Sequence, residues 1–282
     1  MSRKRILSPK NDYLFKRIFF DNADKNVILK KLLEDCIGFG QKQVEEITLV
    51  DRTGDKEFED DKTIIFDVNA KLSDGTLVNV EIQKLNHFGF IERSIFYTSR
   101  RLSGQGVKGL QYGDLKQTVA LNIVDFDLFN DTEDFYSTFY FSEKDRHTIL
   151  SDLLRIDFLE LKKLDLNNID TTNKKELWVK FFNAESEEEL DMLKEIDKTF
   201  EKPVEKLYFL SSDPSTLTAY EEREKVRMDE FAKLKYAEEK GKAEGQIEQK
   251  LLMAKKLLNK GFSDEDILEL SELTREELNS LR

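Results

Sequence analysis

The chain has 282 residues, of which 39% are hydrophobic and 36% charged, enough apolar chain for one large domain with or without an appendage. A single cysteine, Cys36, excludes an internal disulfide and a cysteine-rich zinc cluster and fits a reducing compartment. No run of about 18 apolar residues is present, and the start MSRKRILSPKNDYLFKRIFF lacks the apolar core and small-residue cleavage site of a secretory signal. A cytoplasmic protein that does not enter a membrane is therefore expected.

The net charge of −12 at first argues against a polyanionic partner, but it is unevenly spread. Residues 1–116 sum to +2, with basic excess at 1–20 and 84–116, so the remaining 166 residues carry −14. A near-neutral front half can meet nucleic acid while an acidic rear half keeps the chain in solution.

In chain order, Leu14, Ile18, Ile28, Leu32 and Leu33 recur at helical steps, which gives two helices broken near DNADKN. QVEEITLVDRT reads as a strand. After the acidic loop GDKEFEDDK comes the hairpin TIIFDVNAKLSDGTLVNVEIQK. Residues 88–103 suit a helix with Phe88, Ile91, Ile95 and Leu102 inward, ended by glycines 104, 106 and 109. QTVALNIVDFDLF, DFYSTFYFSE and LLRIDFLELKKL read as strands. After Asn173 the pattern is helical throughout, with Trp178 as an apolar anchor, and from Ser215 it becomes a long charged helix or loose coiled coil. Two capping signals, Ser263 with Asp266 and Thr274 with Glu277, open short helices at the end.

The hairpin carries the chemistry. Phe66, Val68, Ala70 and Leu72 alternate with Asp67, Asn69 and Lys71, while Val78, Val80 and Ile82 alternate with Asn79, Glu81 and Gln83. Opposed residues of an antiparallel pair share a face, so the loop must be odd in length. A three-residue loop, Ser73-Asp74-Gly75, sets Asp67 against Glu81, and a five-residue loop sets Asp67 against Gln83. Like charges facing each other on a sheet cost about 0.2–1 kcal/mol. A divalent cation converts that repulsion into ligation, and Mg²⁺ favours one or two carboxylates plus phosphate oxygens.

FDVNAKLSDGTLVNVEIQK resembles the core of the PD-(D/E)XK nuclease superfamily, in which an Asp and a Glu-x-Lys sit on adjoining strands. More narrowly, SPKNDYLFKRIF, IERSIFYTSRRLSGQGVKGLQYGDLKQTVALNIVDFDLF and IDFLELKKL resemble, in order, the bacterial recombination-promoting nuclease and transposase family, over roughly residues 8–165. The resemblance implies an α/β fold, a restriction-endonuclease-like mixed sheet flanked by helices, with an all-helical C-terminal extension. It implies a metal-dependent DNA endonuclease linked to recombination, mobile elements or defence, with Asp67 and Glu81 as ligands of Mg²⁺ or another divalent cation such as Mn²⁺. Gln83 stands where the superfamily has lysine, so a cation must come from elsewhere, with Arg93 and Lys71 as candidates. Asp12, Tyr97 and Tyr112 match family positions. Asp12 either supports the site or favours its helix dipole, and for the tyrosines core packing is the expectation over contact with nucleic acid. Arg93, Arg100, Arg101 and Lys108 are candidates for DNA phosphates.

Other chemistries lack their parts. Only His87 and His147 are present, GQGVKG lacks the Walker spacing, and no G-x-S-x-G occurs. The expected organisation is a nuclease-like domain over 1–212 and a helical tail over 213–282 that makes a homo-oligomer, as a dimer suited to cutting two strands. The rival reading is a catalytically weak nuclease fold that acts through protein contacts of its tail.

Overall fold

The structure, a computed structural model, describes residues 5–20, 27–39, 44–51, 66–106 and 111–281, with the backbone alone at 44–51, 66 and 67. The DNADKN break, the whole acidic loop, Lys108 and Gly109 lie outside the described residues. Among the described residues six strands form one mixed sheet in the order β1-β2-β3-β4-β6-β5. β1 (Val44–Asp51), β2 (Phe66–Leu72) and β3 (Leu77–Gln83) form an antiparallel meander. β4 (Thr118–Val124) and β6 (Ile149–Glu160) continue the sheet in parallel with β3, and β5 (Tyr136–Ser142) closes the edge antiparallel to β6. This is the mixed α/β sheet that the sequence implies.

The β2–β3 register pairs Val68 with Val80, Asn69 with Asn79 and Ala70 with Val78. The loop therefore has three residues. Gly75, at φ +86°, takes the left-handed position that a side chain resists, and its N–H donates to the Leu72 carbonyl at 2.8 Å.

Alternation then sends the strands' side chains into two different cores. Val68, Ala70, Leu72, Val78, Val80, Ile82, Val119, Leu121 and Ile123 are buried on one face. α1 (Asp12–Phe19), α2 (Val27–Ile37), α4 (Lys174–Asn183), α5 (Glu187–Ile196) and α6 (Glu201–Ser212) supply the other side of that core. Trp178 lies at its centre against Phe200 and Phe19, ring centroids 4.7 and 5.8 Å apart, and its indole N–H donates to Asp35. Each such side chain adds about 1.5–3 kcal/mol by leaving water.

The opposite face is covered by α3 (Phe90–Ser103). Here the expected inward face is corrected. Phe90, Ser94 and Thr98 are buried, Ile91 and Leu102 are half-buried, and Phe88 and Ile95 are exposed. The helix begins two residues later than expected. Its contact face is small and polar because β4 presents Asn122, whose amide donates to the Ser94 hydroxyl at 3.0 Å.

A compact unit spans Met1–Glu224 and a second spans Lys225–Arg282. The division falls inside α7 (Pro214–Asn259), beyond the break placed at 212/213 from composition. Asp213 caps the helix by accepting from Thr216 N–H at 2.9 Å, and hydrogen bonds from Ser215 and Thr216 hold its carboxyl down to about 2. Thr216 and Tyr220 are buried, so the first turns of α7 belong to the first unit. In the second unit, α8 (Asp264–Ser271) and α9 (Arg275–Ser280) bury Ile267, Leu273 and Leu278 against Ala254 of α7. Ser263 and Thr274 cap these helices as expected.

A buried polar network secures α2. Arg155 on β6 donates to Asp157 at 3.1 Å and to the Ile37 carbonyl at 3.0 Å, while the Tyr136 hydroxyl donates to the Cys36 carbonyl at 2.6 Å. These bonds satisfy the carbonyls that end α2. Burial raises the Asp157 carboxyl pKa, and the Arg155 charge opposes that rise. Arg155→Met leaves this carboxylate buried and unpaired and lowers stability by roughly 3–5 kcal/mol in urea unfolding. A folded pKa above the unfolded one means stability falls as pH rises through it, so the loss is greater at pH 8 than at pH 5. An unchanged urea midpoint at both pH values contradicts the network's role.

Candidate active site

Glu81 lies on β3 between β2 and β4, opposite Asn122 in the parallel register, and is 3% exposed. Continuing the β2–β3 register one pair past Val68 and Val80 sets position 67 across from position 81. The backbone at Asp67 pairs with Val50 on β1, and the Asp67 side chain lies outside the described residues.

Across Glu81 runs α3. Arg93, one turn into the helix, donates to Glu81 Oε1 at 2.6 Å, and its guanidinium lies 5.3 Å from the centroid of the Phe90 ring. Phe90 in turn is seated edge-on against Phe126 and Phe158, at 5.8 and 6.3 Å. The helix start is thus anchored by an aromatic cluster, which fixes where Arg93 reaches the sheet. Ionic hydrogen bonding of this length is the strong kind, and it offsets the cost of burying the Glu81 carboxylate.

Gln83 is buried two residues further along β3, on the same strand face as Glu81 by alternation. Asn69, 3% exposed, lies diagonal to Glu81 on the neighbouring strand, and its Oδ1 accepts no hydrogen bond. A buried carboxylate beside an unsatisfied amide oxygen is a hard-oxygen donor set, the type Mg²⁺ and Mn²⁺ take, often with water completing the shell. The residues present therefore fit a divalent cation. Among the described residues no group of three His, Cys, Asp or Glu side chains comes together.

The remaining candidates are dispersed. Lys71 is exposed on β2. Lys84 lies beyond the end of β3 and pairs with Glu224 at 3.1 Å. Asp12 opens α1 behind the Asn11 cap; burial raises its carboxyl pKa, opposed by Arg223 and Lys16. No bond among the described residues joins Asp12 to Glu81. Tyr97 is half-buried and meets Phe96 edge-on at 5.3 Å. Tyr112 is 92% exposed in a short turn, which corrects the expectation that it packs in the core. Its turn lies between α3 and β4, clear of both cores. Arg100 is exposed and Arg101 half-buried in the last turn of α3. Lys108 lies outside the described residues. Asn69 and Asn122 escape sequence reasoning, because a strand asparagine carries no chemical signal until its neighbours are known.

A carboxylate on a central strand of a mixed sheet, paired with a helix-borne arginine beside a three-residue hairpin, defines a restriction-endonuclease-like α/β protein. The model of the PD-(D/E)XK nuclease family transposases matches residues 9–237, and the chain belongs to that family. No curated protein and no solved structure matches the chain. Family membership supports a nuclease-type function with nucleic acid as substrate and a divalent metal ion as its usual requirement. No helix among the described residues is long and apolar enough to cross a membrane.

Arg93→Met removes the counter-charge of Glu81 and costs up to about 3 kcal/mol in thermal or urea unfolding, discounted because Arg93 is partly exposed. Adding Glu81→Gln to that variant restores most of the loss, a coupling a double-mutant cycle reads directly. Additive effects of the two changes contradict a direct pair.

Proposed function

We propose that the chain is a Mg²⁺-dependent DNA endonuclease, with Mn²⁺ as a substitute, in which Asp67 and Glu81 are the metal ligands. The observation that supports it most is the buried Glu81 carboxylate, set across from position 67 and paired to Arg93 at 2.6 Å. A bound divalent cation supplies an activated water and offsets charge on the scissile phosphate.

The protein's own groups do the rest. Gln83 is an uncharged amide and orients by hydrogen bonding alone. Arg93 supplies the cation that the superfamily lysine would provide. Its guanidinium, held over the sheet at Glu81, would contact the phosphate bidentately. Lys71 is the second candidate for this charge, favoured less because it is exposed. Arg100, Arg101 and Lys108 contact the phosphate backbone, where a loss weakens binding regardless of sequence. Tyr97, Tyr112 and Asp12 are supporting residues in this reading, on their match to family positions. The setting is cytoplasmic, and the role lies in recombination, mobile elements or defence.

Oligomerisation through the tail is part of the proposal. Val226, Met228, Phe231 and Tyr236 are exposed along α7 in a helix otherwise rich in charge, and two copies supply two sites for the two strands of a duplex.

With Mg²⁺ the parent nicks supercoiled plasmid, chelation stops it, and Asp67→Ala and Glu81→Ala each slow it by roughly 100-fold or more. Arg93→Ala slows it comparably while Arg93→Lys keeps part of the rate. A parent that cuts no faster than both carboxylate variants favours the rival, a weak nuclease fold working through its tail. Removal of residues 225–282 halves the number of protomers per particle in sedimentation if α7 joins two copies, and an unchanged number rejects the dimer.

A further inference from the structure

The loop between β3 and α3 holds the most exposed aromatic ring described in the protein. Phe88 is 108% exposed, with no protein surface under its ring. Yet the backbone that carries it is tightly fixed. The Phe90 N–H donates to the His87 carbonyl at 3.1 Å, and Gly89 sits at φ +76°, ψ +19°. His87-Phe88-Gly89-Phe90 is therefore a type II turn with glycine at the position that requires positive φ. Phe88 occupies the turn's first central position, where proline is common and nothing about the turn calls for an apolar side chain. On its far side the turn is clamped by Phe90, buried against Phe126 and Phe158.

Singly exposed apolar side chains are ordinary on protein surfaces. This one differs in where it is held. It lies five residues past Gln83 and five before Arg93, at the carboxyl end of β3, the end at which parallel strands present their sites. The stretch of sequence that contains it, residues 84–116, holds six cations against two acids. Ile95 and Phe96 are also exposed on α3, which also carries Arg100. An exposed aromatic ring on a rigid turn is a platform that nucleic-acid bases stack on, because every base has a π-face.

We propose that Phe88 is a base-stacking residue that contacts an unpaired or unstacked base next to the scissile phosphate. The assignment rests on the nuclease reading of the Glu81 site and adds to it a preference for locally opened DNA. Ring insertion at a base step is a known means of holding a duplex open, and the rigid turn lets the ring act without first ordering a loop.

The test is binding of the full chain to a fluorescein-labelled single-stranded 20-mer by anisotropy, in chelator so that no cutting occurs, at several salt concentrations. Phe88→Ala weakens binding about tenfold and leaves the salt slope of the parent unchanged, because no phosphate contact is lost. Phe88→Trp restores affinity, and its emission, taken as the difference from a parent whose Trp178 is fully buried, is quenched when DNA is added. Equal affinity of parent and Phe88→Ala, or a changed salt slope, overturns the stacking role while leaving the nuclease reading standing. A parent that fails to bind removes both. A Phe88→Ala variant that binds as the parent but changes sedimenting mass makes the ring a contact between copies and likewise overturns the proposal.

Discussion

A carboxylate buried in the middle strand of a sheet must be compensated, and the place of Glu81 imposes that demand on the rest of the domain. Desolvating one such ion costs several kcal/mol even after relaxation. The compensating charge has to arrive from above the sheet, since β2 and β4 occupy both flanks of β3. α3 meets the demand, and much of its sequence follows from doing so. Phe90 is sunk in an aromatic cluster that fixes the helix start, Arg93 reaches Glu81, and Ser94 bonds Asn122. The opposite face of the sheet carries the larger aliphatic and aromatic core.

The protein contains a second buried acid with an arginine, and the comparison separates structure from chemistry. Arg155 is committed to Asp157 and to a carbonyl ending α2, with the Tyr136 hydroxyl nearby, so its donors are spent on holding one helix in place. Arg93 donates to a single oxygen of Glu81 and has an aromatic ring beside it. Five N–H donors on a planar fork leave such a group capacity for a second anion. Similar ingredients thus give a helix cap in one place and a single ion pair across the sheet in the other.

The hairpin was legible from sequence because strand alternation is strict. Parity alone demanded an odd loop and left three or five residues open, and the observed register makes it three. The strands that follow and the capped helices at the end were readable for the same reason: each depends on neighbours in sequence. α3 was misjudged at its inner face, since a helix that covers a polar patch buries Ser94 and Thr98 and leaves Ile95 in water, against the rule that apolar residues point inward. Asn69 and the Arg155 network were invisible because they are made by strands and helices far apart in the chain; Arg155 reaches back 118 residues to Ile37. Family resemblance supplied a meaning for Asp67 and Glu81, and only the three-dimensional arrangement showed which cation faces the glutamate.

Glu224 is the last residue of the first unit, and it accepts from Asn11 at the start of α1 and from Lys84 just past the end of β3. One carboxylate therefore staples the beginning of the domain, the end of β3 and the domain's own end together. A chain cut a few residues before 224 loses that carboxylate, and with it the ties to Asn11 and to Lys84 just past the strand that bears Glu81.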